Sequence, residues 1–204
     1  SLFTEVMTSG EALWRDVASG AIPARRFFPI ERAPGDAADW AEGLEIQLTD
    51  SVQKADAILL MGLPDGVKTD AQKSLLAEAL ARGLPDYCSN PARRSPRGDA
   101  FVASPGVLAF DYQEAGGDVV FYGKPHLPIF SALETALGTS RLVMIGDSLE
   151  HDIAGAANAG WDTILVRCGV HRPAFDRGDL AATLERLSEE EAAPAPTYSL
   201  EMLA

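Results

Sequence analysis

Three side chains in the last half of the chain have the types and spacing to hold a divalent cation and an anionic oxygen cluster. Asp147 follows Gly146 where the strand-forming run "LVMI" stops, and Asp152 comes five positions later. Two carboxylates converging on one rim suit Mg²⁺, a hard cation that keeps waters and bridges to a phosphate. Ser148 between them can orient a carboxylate or donate to a phosphate oxygen. Lys124 ends another run, "VVFYGKP", and Pro125 restricts it. An ammonium there can pair with a carboxylate or a phosphate. Each feature also has a plainer reading. The two aspartates can simply cap and charge a helix start, and a Gly-Lys-Pro turn can simply be exposed.

The elements that must position these residues read as alternating strands and helices. "VVFYGKP" is a strand, "HLPIFSALETALG" a helix, "RLVMIGDS" a strand, "EHDIAGAANAG" a helix and "DTILVRCG" a strand. That alternation predicts parallel strands with right-handed crossovers, whose carboxyl ends are where ligands sit. Upstream, "LFTEVM" reads as a short strand, then Thr8-Ser9-Gly10 places a capping residue ahead of Glu11 in a helix with Ala12, Leu13 and Val17 on one face. "RRFFPIE" and "LEIQLTD" read as strands, and "ADAILLMGLPDG" as a buried parallel strand ending in a Pro-Asp-Gly turn. "TDAQKSLLAEALARGLP" is a helix from Thr69 to Gly83, and "VLAFDYQEAGG" is another. "DYCSNP" is a short strand and "PARRSPRGD" a basic loop. After the helix "LERLSEEE" come a Pro/Ala linker and a tail.

"YGKPHLPIFSAL" followed by "VMIGDSLEHDIAGAANAGWDTILVRCGV" resembles the third and fourth motifs of the haloacid dehalogenase-like (HAD) phosphatases. Within them it is similar to subfamily IIA, the sugar-phosphate, nucleotide and 4-nitrophenyl phosphatases with a large α/β cap. The resemblance implies an α/β fold with a Rossmann-like core at 1–20 and 120–204 and an inserted cap at 21–119. It implies Mg²⁺-dependent hydrolysis of a small phosphorylated metabolite, with Asp147 and Asp152 at the metal and Lys124 holding nucleophile and phosphate. Thr8, Ser9, Ser148, Asn90 and Arg93 are the expected phosphate and substrate contacts. Arg93, Arg94 and Arg97 form a positive cluster that reads equally as a solvated loop.

The family's nucleophile lies in an Asp-x-Asp-Gly motif on its first strand, and no Asp-x-Asp occurs in these 204 residues. Pro64-Asp65-Gly66 is the nearest string. The expectation is therefore a fragment of a longer protein, or a strand supplied by another chain, with the core lacking its first strands. The cap also departs from the family, with Asn90-Pro91-Ala92 where Asn-Pro-Asp is common. The alternative is a non-catalytic phosphate- or metal-binding or interaction protein on the same scaffold. A phospho-receiver domain would not need about 100 residues ahead of its lysine.

Composition narrows the partners. A net charge of −13 repels nucleic acid and anionic membrane surfaces. No apolar segment reaches the ~20 residues needed to span a bilayer. Cys88 and Cys168 show neither zinc spacing nor a disulfide framework, and both are expected as buried thiols in a cytoplasmic setting. The expected partner is a small phosphorylated substrate. Homo-oligomerisation through the cap stays open. Trp14, Trp40 and Trp161 are expected in packing roles.

Overall fold

Runs such as Ala57–Leu60, apolar at every position, suit strands covered on both faces, and here they form the middle of a parallel sheet. The computed structural model describes residues 3–64, 69–97, 100–176 and 178–203. The chain divides into two units, residues 6–123 and residues 1–5 with 124–204.

In the unit 6–123 the order is α1 (Ser9–Ser19), β1 (Arg26–Ile30), α2 (Asp36–Trp40), β2 (Gln47–Leu48), β3 (Ala57–Leu60), α3 (Asp70–Ala81), β4 (Asp86–Cys88), β5 (Arg94–Arg97), β6 (Ala100–Ala103), α4 (Pro105–Glu114) and β7 (Val119–Phe121). Strands β2-β1-β3-β4-β7 make an all-parallel sheet in that order. Its core joins Ile58 and Leu60 to Leu76 and Ala79 of α3 and to Leu108 and Tyr112 of α4. Thr8 caps α1 as its sequence indicates, its Oγ1 accepting from the Glu11 N–H at 3.0 Å. Ala12, Leu13 and Val17 form the buried face of that helix.

Residues 6–20 group with this unit instead of with the C-terminal half. The reason is local bonding. The Trp40 indole donates to Gly10 O at 2.8 Å, the Trp14 indole to Glu42 O at 3.2 Å, and the Tyr122 hydroxyl to Asp16 Oδ2 at 2.6 Å. The basic stretch read as a loop is the first strand of an antiparallel hairpin, with Arg94 opposite Ala103. Residues 98 and 99, the Arg97 side chain, and Asp65 and Gly66 of the expected Pro-Asp-Gly turn lie outside the described residues.

In the other unit come α5 (Leu127–Leu137), β8 (Val143–Gly146), a π turn (Leu149–Ile153), α6 (Ala154–Asn158), β9 (Asp162–Val166), α7 (Arg172–Phe175), α8 (Leu180–Glu190) and β10 (Tyr198–Leu200). The expected tail is thus a strand that pairs parallel with β9, giving a sheet ordered β10-β9-β8. Leu149, Ile153, Leu165 and Leu187 form its core. The Trp161 ring stands edge-on to Phe130 at 5.2 Å and its N–H donates to Glu134.

Residues 3–8 form no strand, contrary to the reading of "LFTEVM". Among the described residues β8 pairs only with β9, so its other edge is open. Val143 and Ile145 on that strand are 51% and 49% exposed. Cys88 is buried as expected, whereas Cys168, two residues past the end of β9, is exposed.

Candidate functional site

Parallel strands deliver their loops to one end of a sheet, and the loops leaving β8 and β9 carry the candidate residues of the unit 124–204. Asp152 sits inside the turn that leaves β8, its side chain 7% exposed. A carboxylate so covered requires partners, and it has three. Lys124 Nζ lies 2.5 Å from Oδ1. The N–H groups of Asp147 and Ser148 donate to Oδ2 at 3.1 and 3.2 Å. A Cβ at Gly146 would overlap this carboxylate, so glycine is what lets β8 end against it. The π turn supplies the extra residue of helical rise that brings Asp152 back to the strand end.

Asp147 is held from the next loop. Its Oδ2 accepts from the Val170 N–H at 3.0 Å, and Gly169 leaves the room for it, since a Cβ there would overlap the carboxylate. Among the described residues Oδ1 of Asp147 has no hydrogen-bond partner. The two carboxylates therefore differ. Asp152, expected as a metal ligand, spends both oxygens on protein donors. Asp147 keeps one oxygen for a cation.

Ser148, expected to steer a carboxylate or a phosphate, instead caps the π turn. Its Oγ accepts from the His151 N–H and faces His151 Nδ1, both at 3.1 Å. His126, half-buried, has its pKa lowered by burial first and by nearby His151 second. At neutral pH its imidazole is uncharged.

Sequence reasoning missed His171. Its Nε2 accepts from the Leu149 N–H at 3.3 Å, and its Nδ1 is 3.6 Å from Glu191 Oε1. Glu191 Oε2 in turn accepts from the Glu150 N–H at 3.0 Å. His171 and Glu191 thereby tie the loop after β9 and the end of α8 to the turn that holds Asp152. The available signal was position alone, because residues just past a parallel strand reach the same rim.

The remaining expected contacts lie in the unit 6–123. Thr8 is the cap of α1, and Ser9 opens that helix with its Oγ beside Gly123. Asn90 follows β4 and holds the Ala92 N–H on its Oδ1 at 3.1 Å. Arg93 lies 4.2 Å over the Phe110 ring and 3.7 Å from Glu114, so its guanidinium contacts α4.

Among the described residues no group of three or more His, Cys, Asp or Glu gathers as a complete metal site. The donor chemistry still fits Mg²⁺, which is bound through one or two carboxylates with water and substrate oxygens completing its shell. Asp147 is the residue that would ligate it.

Known proteins resemble this chain in sequence and fold. The HAD-hydrolase-like family model matches residues 121–203. The haloacid dehalogenase-like hydrolase domain-containing protein 2 of Bos taurus is 38% identical over 101 residues, 47% of this chain and 38% of its own length. A crystal structure of a haloacid dehalogenase-like hydrolase from Brucella suis 1330 is 32% identical with a TM-score of 0.67, covering 83% of this chain and 66% of that one. The p-nitrophenyl phosphatase of Archaeoglobus fulgidus, 21% identical, has the same fold at a TM-score of 0.75, over 95% of this chain and 70% of its own. This chain spans between 22% and 50% of the length of the curated relatives it matches. The family match runs from the strand before Lys124 through both loops of the carboxylate cluster. Residues 121–203 belong to the haloacid dehalogenase-like hydrolase superfamily.

Proposed function

We propose that residues 124–204 are the metal- and phosphate-holding half of a Mg²⁺-dependent phosphatase of subfamily IIA. Its substrate is a small phosphorylated metabolite of the sugar-phosphate or nucleotide class, and residues 6–123 serve as its cap. The observation that carries the reading is the Lys124–Asp152 pair at 2.5 Å, with Asp147 on the adjoining backbone. Asp152 acts as a positioning residue: it aims the ammonium and fixes the turn. Lys124, with a side chain 42% exposed, presents its remaining donors to phosphoryl oxygens. Bound at Asp147, Mg²⁺ would supply Lewis-acid stabilisation of the phosphoryl group.

The nucleophile comes from outside residues 1–204, on a strand laid parallel along the open edge of β8. Two features support this: the half-exposed Val143 and Ile145 beside that edge, and the lack of any Asp-x-Asp in the sequence. An apolar open edge is a template for strand addition. The cytoplasmic setting is supported by two free cysteines, and among the described residues no helix is long and apolar enough to cross a membrane.

The test uses Mn²⁺ as a paramagnetic probe and inorganic phosphate as the anion. Phosphate should tighten Mn²⁺ binding to the chain, and Lys124→Ala should remove that tightening. If phosphate has no effect on Mn²⁺ binding to the unaltered chain, the reading is lost. Residues 1–204 alone should not hydrolyse 4-nitrophenyl phosphate. Mg²⁺-dependent turnover by them would place a nucleophile within this chain and refute the added-strand assignment.

A further inference from the structure

Five consecutive backbone N–H groups, from Asp147 to His151, leave the end of β8, and each one ends on a side chain. Those of Asp147 and Ser148 go to Asp152 Oδ2, and that of Leu149 goes to His171 Nε2. The Glu150 N–H goes to Glu191 Oε2 and the His151 N–H to Ser148 Oγ. The first N–H groups of a helical turn have no partner within it, so these side chains fix where the turn sits. His171 differs from the other acceptors. An imidazole nitrogen that gains a proton keeps no lone pair, whereas a carboxyl or hydroxyl oxygen still has one.

Two links run from this residue to the cation seat at Asp147. Through its ring, His171 holds the N–H of Leu149 on the turn that Asp147 leads into. Through its backbone it follows Val170, whose N–H donates to Asp147 Oδ2 at 3.0 Å. Leu149 is fully buried and the His171 side chain is 10% exposed, so no solvent stands ready to replace a lost acceptor. The charged groups around the ring come from three elements. At the end of α8, Glu191 Oε1 lies 3.6 Å from His171 Nδ1. On α7 the Arg172 guanidinium is 3.9 Å from Asp176, and on the turn His151 is 3.7 Å from Glu150. Among the described residues Glu191 is thus the charge within ion-pair reach of the ring.

We propose that His171 is a positioning residue that makes the cation seat at Asp147 acid-sensitive. The inference rests on the reading of Asp147 as the Mg²⁺ ligand and adds a regulation of that site. In the neutral ring Nε2 accepts from Leu149, so the proton lies on Nδ1 and points toward Glu191. A second proton, on Nε2, sets an N–H against the Leu149 N–H, and two donors cannot bond. The imidazolium is attracted to the Glu191 carboxylate and turns from Leu149 toward α8. The Leu149 N–H is then buried without an acceptor, which disfavours the closed turn. The same movement pulls on Val170, so both backbone supports around Asp147 loosen together. Histidine is the side chain that ordinarily changes charge between about pH 5 and 8, so the loss of cation binding falls in that interval.

Mn²⁺ binding to the natural chain and to His171→Gln, followed by electron paramagnetic resonance at about pH 8 and about pH 5, tests it. The natural chain should lose roughly tenfold more affinity over that interval than His171→Gln, whose amide oxygen can accept from Leu149 at both values. His126 and His151 are present in both chains, so their charge cancels from the comparison. A second measurement needs no metal. In the ¹⁵N-labelled natural chain the Leu149 amide should shift with pH at the same midpoint as the His171 ring. Equal losses in the two chains, or a Leu149 amide that does not follow the His171 ring, overturn this inference and leave the Asp147 reading standing. No Mn²⁺ binding at about pH 8 removes the reading and the inference together.

Discussion

Asp86 opens β4, the fourth strand of the five-stranded sheet, with 0% exposure, and neither of its carboxylate oxygens has a hydrogen-bond partner. Burial alone pushes its pKa from the ordinary 3.8 up to about 8. Unfolded, Asp86 ionises near pH 3.8, whereas folded it keeps its proton to about pH 8. Between those values the folded chain holds the extra proton, so stability is fullest below pH 3.8. It falls as pH rises and levels off above about 8. The interval of about four units, at about 1.4 kcal/mol each, corresponds to a loss of about 6 kcal/mol once Asp86 is fully ionised. Its titratable neighbours do not blur the window. Cys88 and Tyr112 are both raised above their ordinary values, chiefly by burial and then by Asp86, and stay neutral to pH 8. Asp86→Asn keeps the shape and cannot ionise. Its stability relative to the natural chain should be near zero at pH 4, rise through about 3 kcal/mol at pH 6 and reach about 5 kcal/mol at pH 8. Urea unfolding by the fluorescence of Trp14 and Trp40, in a Trp161→Phe background, isolates this unit. Parallel pH profiles for the two chains would show that Asp86 is not held protonated by burial.

Four further outcomes follow from the same geometry. Asp147→Asn should lower Mn²⁺ affinity at least tenfold, and more than Asp152→Asn does, because only Asp147 retains an uncommitted oxygen; equal losses measured by electron paramagnetic resonance refute that division. Asp152→Asn should instead lower stability by roughly 1.5–3 kcal/mol, the range for hydrogen bonds to a charged group, seen as earlier urea unfolding reported by Trp161. His171→Ala should weaken Mn²⁺ binding severalfold and His171→Gln, which restores an acceptor for the Leu149 N–H, should recover it; no recovery assigns His171 to packing alone. Iodoacetamide should label exposed Cys168 in the folded chain within minutes and reach Cys88 only after unfolding, as peptide mass spectrometry will show.

Legibility in the sequence followed the range of the interactions. Helix α1 was readable because its determinants are local: Thr8 caps it, and the spacing of Ala12, Leu13 and Val17 defines its face. The strand at Ala57–Leu60 was readable because full burial leaves an unbroken apolar run. The tail strand Tyr198–Leu200 was not, because it exists only through pairing with β9, 32 or more residues away, and two of its three residues stay exposed. The hairpin at Arg94–Arg97 failed for a related reason, since charge suggested a loop while its partner strand decided otherwise. At the site, spacing placed Lys124, Asp147 and Asp152 on one rim but could not distribute their tasks. Two carboxylates five residues apart look equivalent until the donors are placed. Lys124 and two backbone N–H groups then enclose one, and Val170 takes a single oxygen of the other. An enclosed carboxylate at 7% exposure cannot shed its donors for a cation without leaving Lys124 unaimed and the turn after β8 unsupported. The difference between the donors held by Asp147 and Asp152 is therefore set by which backbone N–H groups each can reach, a property of the folded turn and not of the motif.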